Sequence, residues 1–322
     1  MSEQYTYAVA RIRVLEVSML SDTVIEQLLS SSDYQQALQL LIDKGWGDVD
    51  TPFNAEAILN RESEKIWEVV KELNIDMNKF NVLNDGKLYH NLKAAIKQIY
   101  TGKELQGIFY ENCKINGEQM LTIVREKAFE MLPKEMQEAA VNAYEALMHA
   151  GDGQLCDIII DKACLDSIMK SGKESKDLII KDYAESVVAV ANIKVAVRAC
   201  MTGKSAEFMK RAMAECESLS IDALVKAALA GMESIKDYLS QTVYAEGAEA
   251  LSESASAFER WCDNRIIETI QPQKYKAFTI GPIIAYVIAR QNEIKTVRII
   301  LSGKQNDMPL ESIRERVRKM YV

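Results

Sequence analysis

The sequence predicts an all-α protein, and three observations carry this prediction. Its 322 residues include only five prolines, so long stretches are free of the strongest helix breaker. Apolar residues recur at three- and four-residue spacing, as at Leu38, Leu41 and Ile42, which is the period of a helix with one buried face. Alternating strand patterns are scarce, and the turn pairs Asn116-Gly117 and Asp85-Gly86 interrupt helical segments rather than join strands.

Capping residues predict where some of these helices begin. Asp33 is placed as the N-cap of the helix that carries Leu38 and Leu41, because its carboxylate can accept from the free N–H groups of a first turn. Asp307 is placed in the same way before the terminal helix. Pro309 then falls in the first turn of that helix, where the missing N–H of proline does no harm.

One short segment resembles the end of a phosphate-binding loop. Residues 202–205, Thr-Gly-Lys-Ser, match the last part of the pattern G-x-x-x-x-G-K-[ST]. Arg198 stands where that pattern needs its first glycine, and residues 184–201 have helical rather than strand periodicity. The segment therefore predicts a helix end, and we expect neither a bound nucleotide nor any other cofactor.

The same helix end occurs three times. Each copy has the form N-x5-[KR]-x3-[TS]-G-K, and the copies begin at Asn91, Asn192 and Asn292, about 100 residues apart. A second similarity precedes the later two copies, where residues 160–164 match residues 258–262. This period predicts an internal triplication into helical repeats. The predicted repeats are residues 1–106, 107–206 and 207–322.

The chemistry of one copy explains its composition. The glycine is expected to take the left-handed position that ends a helix, and the basic residues favour the negative end of the helix dipole. A buried asparagine or arginine must be hydrogen-bonded, so we expect these side chains to brace neighbouring helices rather than to form an active site. The repeated positions are Asn91, Lys97, Gly102, Lys103, Asn192, Arg198, Gly203, Lys204, Asn292, Arg298, Gly303 and Lys304.

Composition limits the function. The net charge of −8 argues against a nucleic-acid partner, which needs a basic surface. The longest apolar run, Ile283 to Ala289, is far shorter than the roughly 20 residues of a membrane helix. The six cysteines include no C-x-x-C pair, and only His90 and His149 supply imidazoles, so a zinc site is not expected. We predict a soluble, cytoplasmic protein.

The two ends of the chain carry a family resemblance. Residues 281–322 contain a Gly-Pro start, the run Gln291-Asn-Glu-Ile-Lys, a Gly-Lys pair and the closing Ile313-Arg-Glu-Arg-Val-Arg. Together with residues 7–16 of the N-terminus, this pattern resembles the C subunit of archaeal-type and bacterial V-type ATPases, whose eukaryotic relative is the d subunit. Val297 and Val317 stand where the family usually has leucine.

The resemblance implies a funnel of three pseudo-threefold-related helical repeats and a non-catalytic role. Such subunits lie in the central stalk, between shaft subunits D and F and the membrane ring of proteolipid subunits, with one copy per rotary complex. They couple ATP hydrolysis or synthesis to proton or sodium transport. The resemblance therefore implies membrane association through protein contacts, without insertion into lipid.

A terminal helix is predicted to place Leu310, Ile313, Val317 and Met320 on one stripe. Basic side chains occupy its other faces, where they are either solvated or in contact with a partner. These basic residues are Arg314, Arg316, Arg318 and Lys319.

Two other interpretations stay open on the residues alone. A helical-repeat adaptor is one, although solenoid repeats are usually 30 to 50 residues long and more numerous. An all-α enzyme is the other, because Asp157 and Asp161 are four residues apart and can share a divalent ion. No second acidic cluster of matching shape accompanies them.

Overall fold

The computed structural model describes residues 5–105, 107–111 and 113–322, and these residues are all-helical. The predicted fold class is confirmed, since the described residues contain no strand. Three short 3-10 helices cover Met77–Phe80, Phe129–Met131 and Gln271–Tyr275. The α-helices in chain order are α1 (Thr6–Glu16), α2 (Asp22–Ser30), α3 (Tyr34–Asp43), α4 (Ala55–Glu72), α5 (Asn81–Thr101), α6 (Gly117–Glu126), α7 (Lys134–Met148), α8 (Gly153–Glu174), α9 (Leu178–Thr202), α10 (Ala206–Ala212), α11 (Ile221–Ala230), α12 (Met232–Ser240), α13 (Ala245–Glu253), α14 (Ala255–Ile270), α15 (Gly281–Gln305) and α16 (Leu310–Arg314).

Contacts divide the chain into two compact units. Unit 1 combines the described residues up to Met77 with Glu246–Val322, and unit 2 is the continuous segment Asn78–Ala245. These units are defined by contacts, whereas the division into residues 1–106, 107–206 and 207–322 follows the sequence repeat and stays a prediction.

Unit 1 is organised around α15. This helix packs against α1, α2, α3, α4, α14 and α16. Every residue from Gly281 to Arg290 is buried, which is the property of a helix surrounded by other elements on all sides. The longest apolar run of the sequence therefore forms the centre of this unit.

Unit 2 is built on α8 and α9. Helix α8 packs against α5, α7, α9 and α10, and α9 also contacts α11 and α12. Apolar side chains from four helices meet in one core, among them Ile96 of α5, Val124 of α6, Ala140 of α7 and Ile160 of α8. This packing fixes the two helices that carry the first two repeated asparagines.

The first two repeated glycines end their helices as predicted. Gly102 follows α5 with φ of 65°, and Gly203 follows α9 with φ of 63°, both in the left-handed region. The residues before Gly203 are helical, as expected for a segment that is not a phosphate-binding loop.

The prediction is wrong for the third glycine. Helix α15 continues through Gly303 to Gln305, and Asp307, with φ of 50°, takes the left-handed position instead. The N–H of Met308 donates to the carbonyl of Gly303 at 2.9 Å and closes this helix end. Gly303 is needed for space, because a Cβ there would lie 2.6 Å from Cγ1 of Ile313.

The two predicted caps have different outcomes. Asp33 is the N-cap of α3 and accepts from the N–H of Gln36 at 2.9 Å. Asp307 is not an N-cap, since it belongs to the end of α15 and Pro309 precedes α16. The N–H of Asp307 donates to the carbonyl of Lys304 at 3.2 Å, which makes it part of the end of α15.

The terminal helix is shorter than predicted. Helix α16 ends at Arg314, and residues 317–322 have no regular structure. The backbone of Lys319 bonds to side chains instead, accepting from Nδ2 of Asn292 at 3.0 Å and donating to Oδ1 of Asn264 at 2.8 Å. These bonds occupy the groups that a helix would need, so the predicted stripe does not form, although Ile313 and Met320 are both buried.

Substitution of Gly303 with alanine is expected to lower the free energy of unfolding. Overpacking against Ile313 costs about 1–3 kcal/mol, and the better helix propensity of alanine offsets about 1 kcal/mol of this. Urea unfolding of Gly303→Ala, Ile313→Ala and the double variant checks the cause. We expect Gly303→Ala to cost less in the Ile313→Ala background, where the clashing atoms are gone.

Gly203→Ala is the matched control for this experiment. Nothing lies within 4 Å of its added Cβ, but its positive φ strains alanine by about 1–2 kcal/mol. Its cost should not change when Ile313 is shortened, because nothing lies within 4 Å of the Cβ added at position 203. An equal cost of Gly303→Ala in both backgrounds would contradict the steric explanation.

Candidate functional site

The first repeated asparagine binds a backbone segment that follows its helix. Asn91 of α5 is fully buried. Its Nδ2 donates to the carbonyl of Tyr110 at 2.8 Å, and its Oδ1 accepts from the N–H of Tyr110 at 2.9 Å. Nδ2 also lies 3.3 Å from the carbonyl of Ile115 and 3.2 Å from Sγ of Cys113. One side chain therefore satisfies both backbone groups of Tyr110.

The second asparagine makes the same arrangement in unit 2. Asn192 of α9 is fully buried and donates to the carbonyl of Ala214 at 2.7 Å. The N–H of Ala214 donates back to Oδ1 of Asn192 at 3.1 Å. A thiol again accompanies the site, with Sγ of Cys216 3.7 Å from Nδ2. The repeat thus extends from sequence to hydrogen-bond geometry.

The third asparagine and a second asparagine together bind the backbone of one residue. Asn292 of α15 donates to the carbonyl of Lys319, while Asn264 of α14 accepts from the N–H of the same residue. Two side chains therefore do what one does in the other copies. In all three places the asparagine holds a later backbone segment against its helix, which favours the bracing role predicted from the sequence.

The repeated basic residues lie between helices of their own unit. Lys97 pairs with Asp157 of α8 at 2.6 Å. Arg298 pairs with Glu56 of α4 at 2.9 Å. Arg198 lines a cavity between α5, α8, α9 and α10. These side chains are therefore placed at helix–helix contacts.

The lysines that follow the glycines differ among the copies. Lys304 donates to the carbonyls of Leu29 and Ser31 at the end of α2, at 3.0 and 2.6 Å, where a positive charge stabilises the helix dipole. Burial lowers the pKa of the Lys304 amine. Lys204 donates to Oε1 of Gln154 at 2.9 Å, and Lys103 is exposed. The three lysines therefore differ in their surroundings.

The two aspartates of the enzyme interpretation are paired with lysines. Asp157 contacts Lys97, and Asp161 contacts Lys93 at 2.5 Å, so both carboxylates are tied to α5. Across residues 5–105, 107–111 and 113–322, no group of three or more metal-ligating side chains is present. The spacing of the aspartates is explained by the packing of α8 on α5.

A buried charged cluster in unit 1 was not predicted from the sequence. Arg290 of α15 lies between the carboxylates of Glu62 of α4 and Glu293 of α15 and contacts both. The three residues are 8%, 3% and 0% exposed, respectively. The Arg290 guanidinium also lies over the ring of Trp46, 5.2 Å from its centroid. The feature of the sequence that could have indicated this cluster is the pair Arg290 and Glu293, which follows the apolar run Ile283 to Ala289.

The cluster is completed by the backbone and by one lysine. Oε1 of Glu62 accepts from the N–H of Gly47 at 2.9 Å and from Nζ of Lys65 at 2.8 Å. Glu293 accepts from the N–H of Leu20, which precedes α2. A buried carboxylate is stable only when its oxygens are paired in this way. The cluster joins α4, α15 and two connecting segments of unit 1.

Most of the basic residues near the C-terminus form ion pairs within unit 1. Arg314 pairs with Glu26 at 2.6 Å, and Lys319 lies 3.3 Å from Glu268. Arg318 and Lys295 both contact Asp263 at 2.6 Å. Contact of Arg314, Arg316, Arg318 and Lys319 with a partner stays a prediction. Arg316 lines a cavity beside α15.

Two opposing effects act on the pKa of Asp263, whose carboxylate contacts both Lys295 and Arg318. Burial alone would raise its pKa because the charged form loses hydration. The charges and hydrogen bonds of Lys295 and Arg318 outweigh burial and hold the pKa of Asp263 below its usual value. Asp263 therefore remains ionised and fixes both cations.

The fold and these contacts define a class of protein. The described residues form a helical protein with internally related helix ends, whose buried polar side chains hold backbone segments in place. Within this part of the chain, no helix is both long and apolar enough to cross a membrane. The sequence matches the ATP synthase (C/AC39) subunit family over residues 8–316, and the chain belongs to this family.

Individual relatives agree with the family match. The C subunit of the V-type sodium ATPase of Enterococcus hirae is 23% identical over 320 residues, which cover 96% of this chain and 97% of the relative. The C subunit of the A-type ATP synthase of Methanocaldococcus jannaschii is 25% identical over 347 residues, 96% of this chain and 85% of the relative. The C subunit of the A-type ATP synthase of a Desulfurococcus species is 23% identical over 345 residues, which cover 97% of this chain and 90% of the relative. The resemblance inferred from the two ends of the sequence is confirmed.

Proposed function

We propose that this chain is the non-catalytic central-stalk subunit of a rotary V/A-type ATPase. In this role it connects the shaft subunits D and F to the membrane ring of proteolipid subunits. ATP hydrolysis or synthesis in the soluble sector is thereby linked to proton or sodium transport. The observation that carries the proposal is the family match, which extends over residues 8–316.

The internal contacts suit a part that transmits torque. A coupler must not deform, and close packing with satisfied buried polar groups gives a rigid interior. Asn91 and Asn192 each hold both backbone groups of a distant residue, and α15 is buried over ten consecutive residues. These features support a mechanical role, because the polar residues at the interior positions bind the chain itself.

The proposed arrangement follows from the triplication. Three helical repeats related by an approximate threefold axis form a funnel, which offers equivalent surfaces to a ring of identical subunits. One copy of the chain is present in each complex. It associates with the membrane through protein contacts only, since a net charge of −8 disfavours binding to anionic lipid.

Reconstitution of the rotary complex with and without this chain tests the proposal. Both ATP hydrolysis and ion flux are measured on the same vesicles. We expect hydrolysis by the catalytic head to continue without the chain, while coupled ion transport falls to background. Adding back the purified chain should restore transport. Ion flux that stays tightly coupled to hydrolysis in its absence would refute the proposed role.

A further inference from the structure

A polar cavity in unit 2 lies between α5, α7, α8 and the segment that contains Cys113 and Lys114. Its volume of about 180 Å³ is enough for an ion together with several water molecules. All of its lining residues fall between Asn81 and Glu174, so the cavity belongs to unit 2 alone. A ligand held there needs contacts with this unit only.

One carboxylate at this cavity is partly buried without a cation bonded to it. Asp85 of α5 accepts from the hydroxyl of Ser167 of α8 at 2.9 Å. Burial raises the pKa of the Asp85 carboxyl, and the hydrogen bond from Ser167 and the charge of Lys114 oppose this rise without cancelling it. The negative charge of Asp85 is therefore incompletely compensated by its neighbours.

Two further oxygen atoms of lining residues are buried and have no hydrogen-bond partner among the described residues. They are Oδ1 of Asn84 and Oη of Tyr89, and Tyr89 is only 3% exposed. Ser167 lies close to Tyr89, but its hydrogen is given to Asp85, and the two hydroxyl groups form no hydrogen bond. Buried oxygens are nearly always satisfied by protein, ordered water or an ion. Two such oxygens at one cavity therefore point to a ligand that binds oxygen.

The charges around the cavity indicate the charge of that ligand. Lys170 pairs with Glu135 at 3.0 Å, so these two lining residues neutralise each other. The other charged residues that line the cavity are Asp85, Glu174 and Lys114. Two carboxylates thus face one ammonium group, and the lining carries a net charge of −1. One positive charge balances it.

The available ligand atoms favour a monovalent cation over a divalent one. Ca²⁺ takes six to eight oxygen ligands, usually with several carboxylates among them. Within residues 5–105, 107–111 and 113–322, no group of three or more metal-ligating side chains is present. A double positive charge would also exceed the net charge of the lining. Neutral oxygens with a single carboxylate can instead replace part of the hydration shell of a monovalent ion.

We infer that this cavity binds one monovalent cation, Na⁺ or K⁺, through the carboxylate of Asp85, Oδ1 of Asn84, Oη of Tyr89 and Oγ of Ser167. Asp85 and Tyr89 are four residues apart and therefore lie on one face of α5. Ser167 donates its hydrogen to Asp85 and keeps its lone pairs for the ion. The bound ion would hold α8 against α5 in the core of unit 2. This inference goes beyond the proposed function and does not depend on it.

Thermal unfolding of the full chain in different chloride salts tests the inference. NaCl, KCl and choline chloride are compared at the same ionic strength, so that screening of surface charges is constant. Choline is the reference, because its methyl groups keep its charge away from oxygen ligands. We expect the Tm to be about 2–4 °C higher in NaCl or in KCl, since an ion that binds only the folded state stabilises it. The salt that gives the larger rise identifies the ion.

Three variants locate the response to the salt. Asp85→Asn preserves the shape of the side chain but removes its charge, and it should abolish the difference between the salts. Tyr89→Phe removes only Oη, and it should raise the cation concentration for half of the Tm rise by about 3- to 10-fold. Asp166→Asn is the matched control, because Asp166 precedes Ser167 but is 51% exposed and pairs with Lys162. Each variant is compared with itself in choline chloride, so a general loss of stability cancels.

Four results would overturn the inference. The first is an equal Tm of the wild type in all three salts, which would mean that water alone fills the cavity. The second is a response of Asp85→Asn equal to that of the wild type. The third is an unchanged response of Tyr89→Phe, which a general effect of the Asp85 charge would produce. The fourth is loss of the response in Asp166→Asn, which would assign it to surface charge. The proposed function is tested separately by reconstitution of the rotary complex.

Discussion

Substitution of Arg290 with methionine is expected to lower the free energy of unfolding by about 3–5 kcal/mol, a large share of the total stability of an ordinary domain. The guanidinium is the charge that compensates Glu62 and Glu293, and both carboxylates are almost fully buried. Removing it takes away the cation that lies between two buried carboxylates, although Glu62 keeps its contact with Lys65. Urea unfolding followed by circular dichroism measures the change.

Two controls identify the cause of this loss. Arg314 also pairs with a carboxylate, Glu26, at 2.6 Å, but the two side chains are 40% and 53% exposed. Arg314→Met should therefore cost less than about 1 kcal/mol. In a second variant, Arg290→Met is combined with Glu62→Gln and Glu293→Gln, and much of the stability should return because no buried charge remains. Similar losses in Arg290→Met and Arg314→Met would show that burial of the cluster is not decisive.

The second large effect is expected for Asn192→Ala. This change leaves the N–H and the carbonyl of Ala214 buried without partners, and each unpaired group costs about 1–3 kcal/mol. We expect a total loss of about 2–4 kcal/mol. Thermal and urea unfolding of the purified variant measure it.

Asn292→Ala is the matched comparison within the repeat. It removes only one hydrogen bond, to the carbonyl of Lys319, and the N–H of Lys319 keeps its bond to Asn264. The expected loss is therefore about half that of Asn192→Ala, or about 1–2 kcal/mol. Equal losses for the two variants would mean that the number of backbone groups held by the asparagine does not determine the cost.

Local patterns predicted the parts of the structure that depend on local physics. Helical periodicity indicated the all-α class, and Gly102 and Gly203 end their helices because only a residue without a Cβ takes that conformation cheaply. Gly303 lies in the same sequence pattern but does not end its helix. Glycine is needed there because the side chain of Ile313, from another helix, leaves no space for a Cβ. A local sequence motif therefore predicts the backbone conformation of its own residues more reliably than it predicts which side chains pack against them.

The buried cluster of Glu62, Arg290 and Glu293 could not be predicted, because it depends on contacts between segments that are far apart in the sequence. Glu62 and Arg290 are 228 residues apart in the sequence. Hydrophobic periodicity predicts which face of a helix is buried, but it does not predict which distant charged side chain packs against that face. The resemblance drew attention to Glu293 as part of a family pattern, but without a partner its role stayed unknown. The repeated asparagines were the exception, since a buried amide must be satisfied wherever it lies.

The discontinuity of unit 1 has a consequence for synthesis on the ribosome. Helices α1 to α4 pack on α15, which begins at Gly281, so their apolar faces have no core until that helix has been made. Unit 2 is continuous and complete once Ala245 has emerged. At about 5–20 residues per second, the N-terminal helices wait on the order of 10–40 s for their partner. Throughout that interval we expect their exposed apolar faces to favour binding by chaperones or loose association with one another.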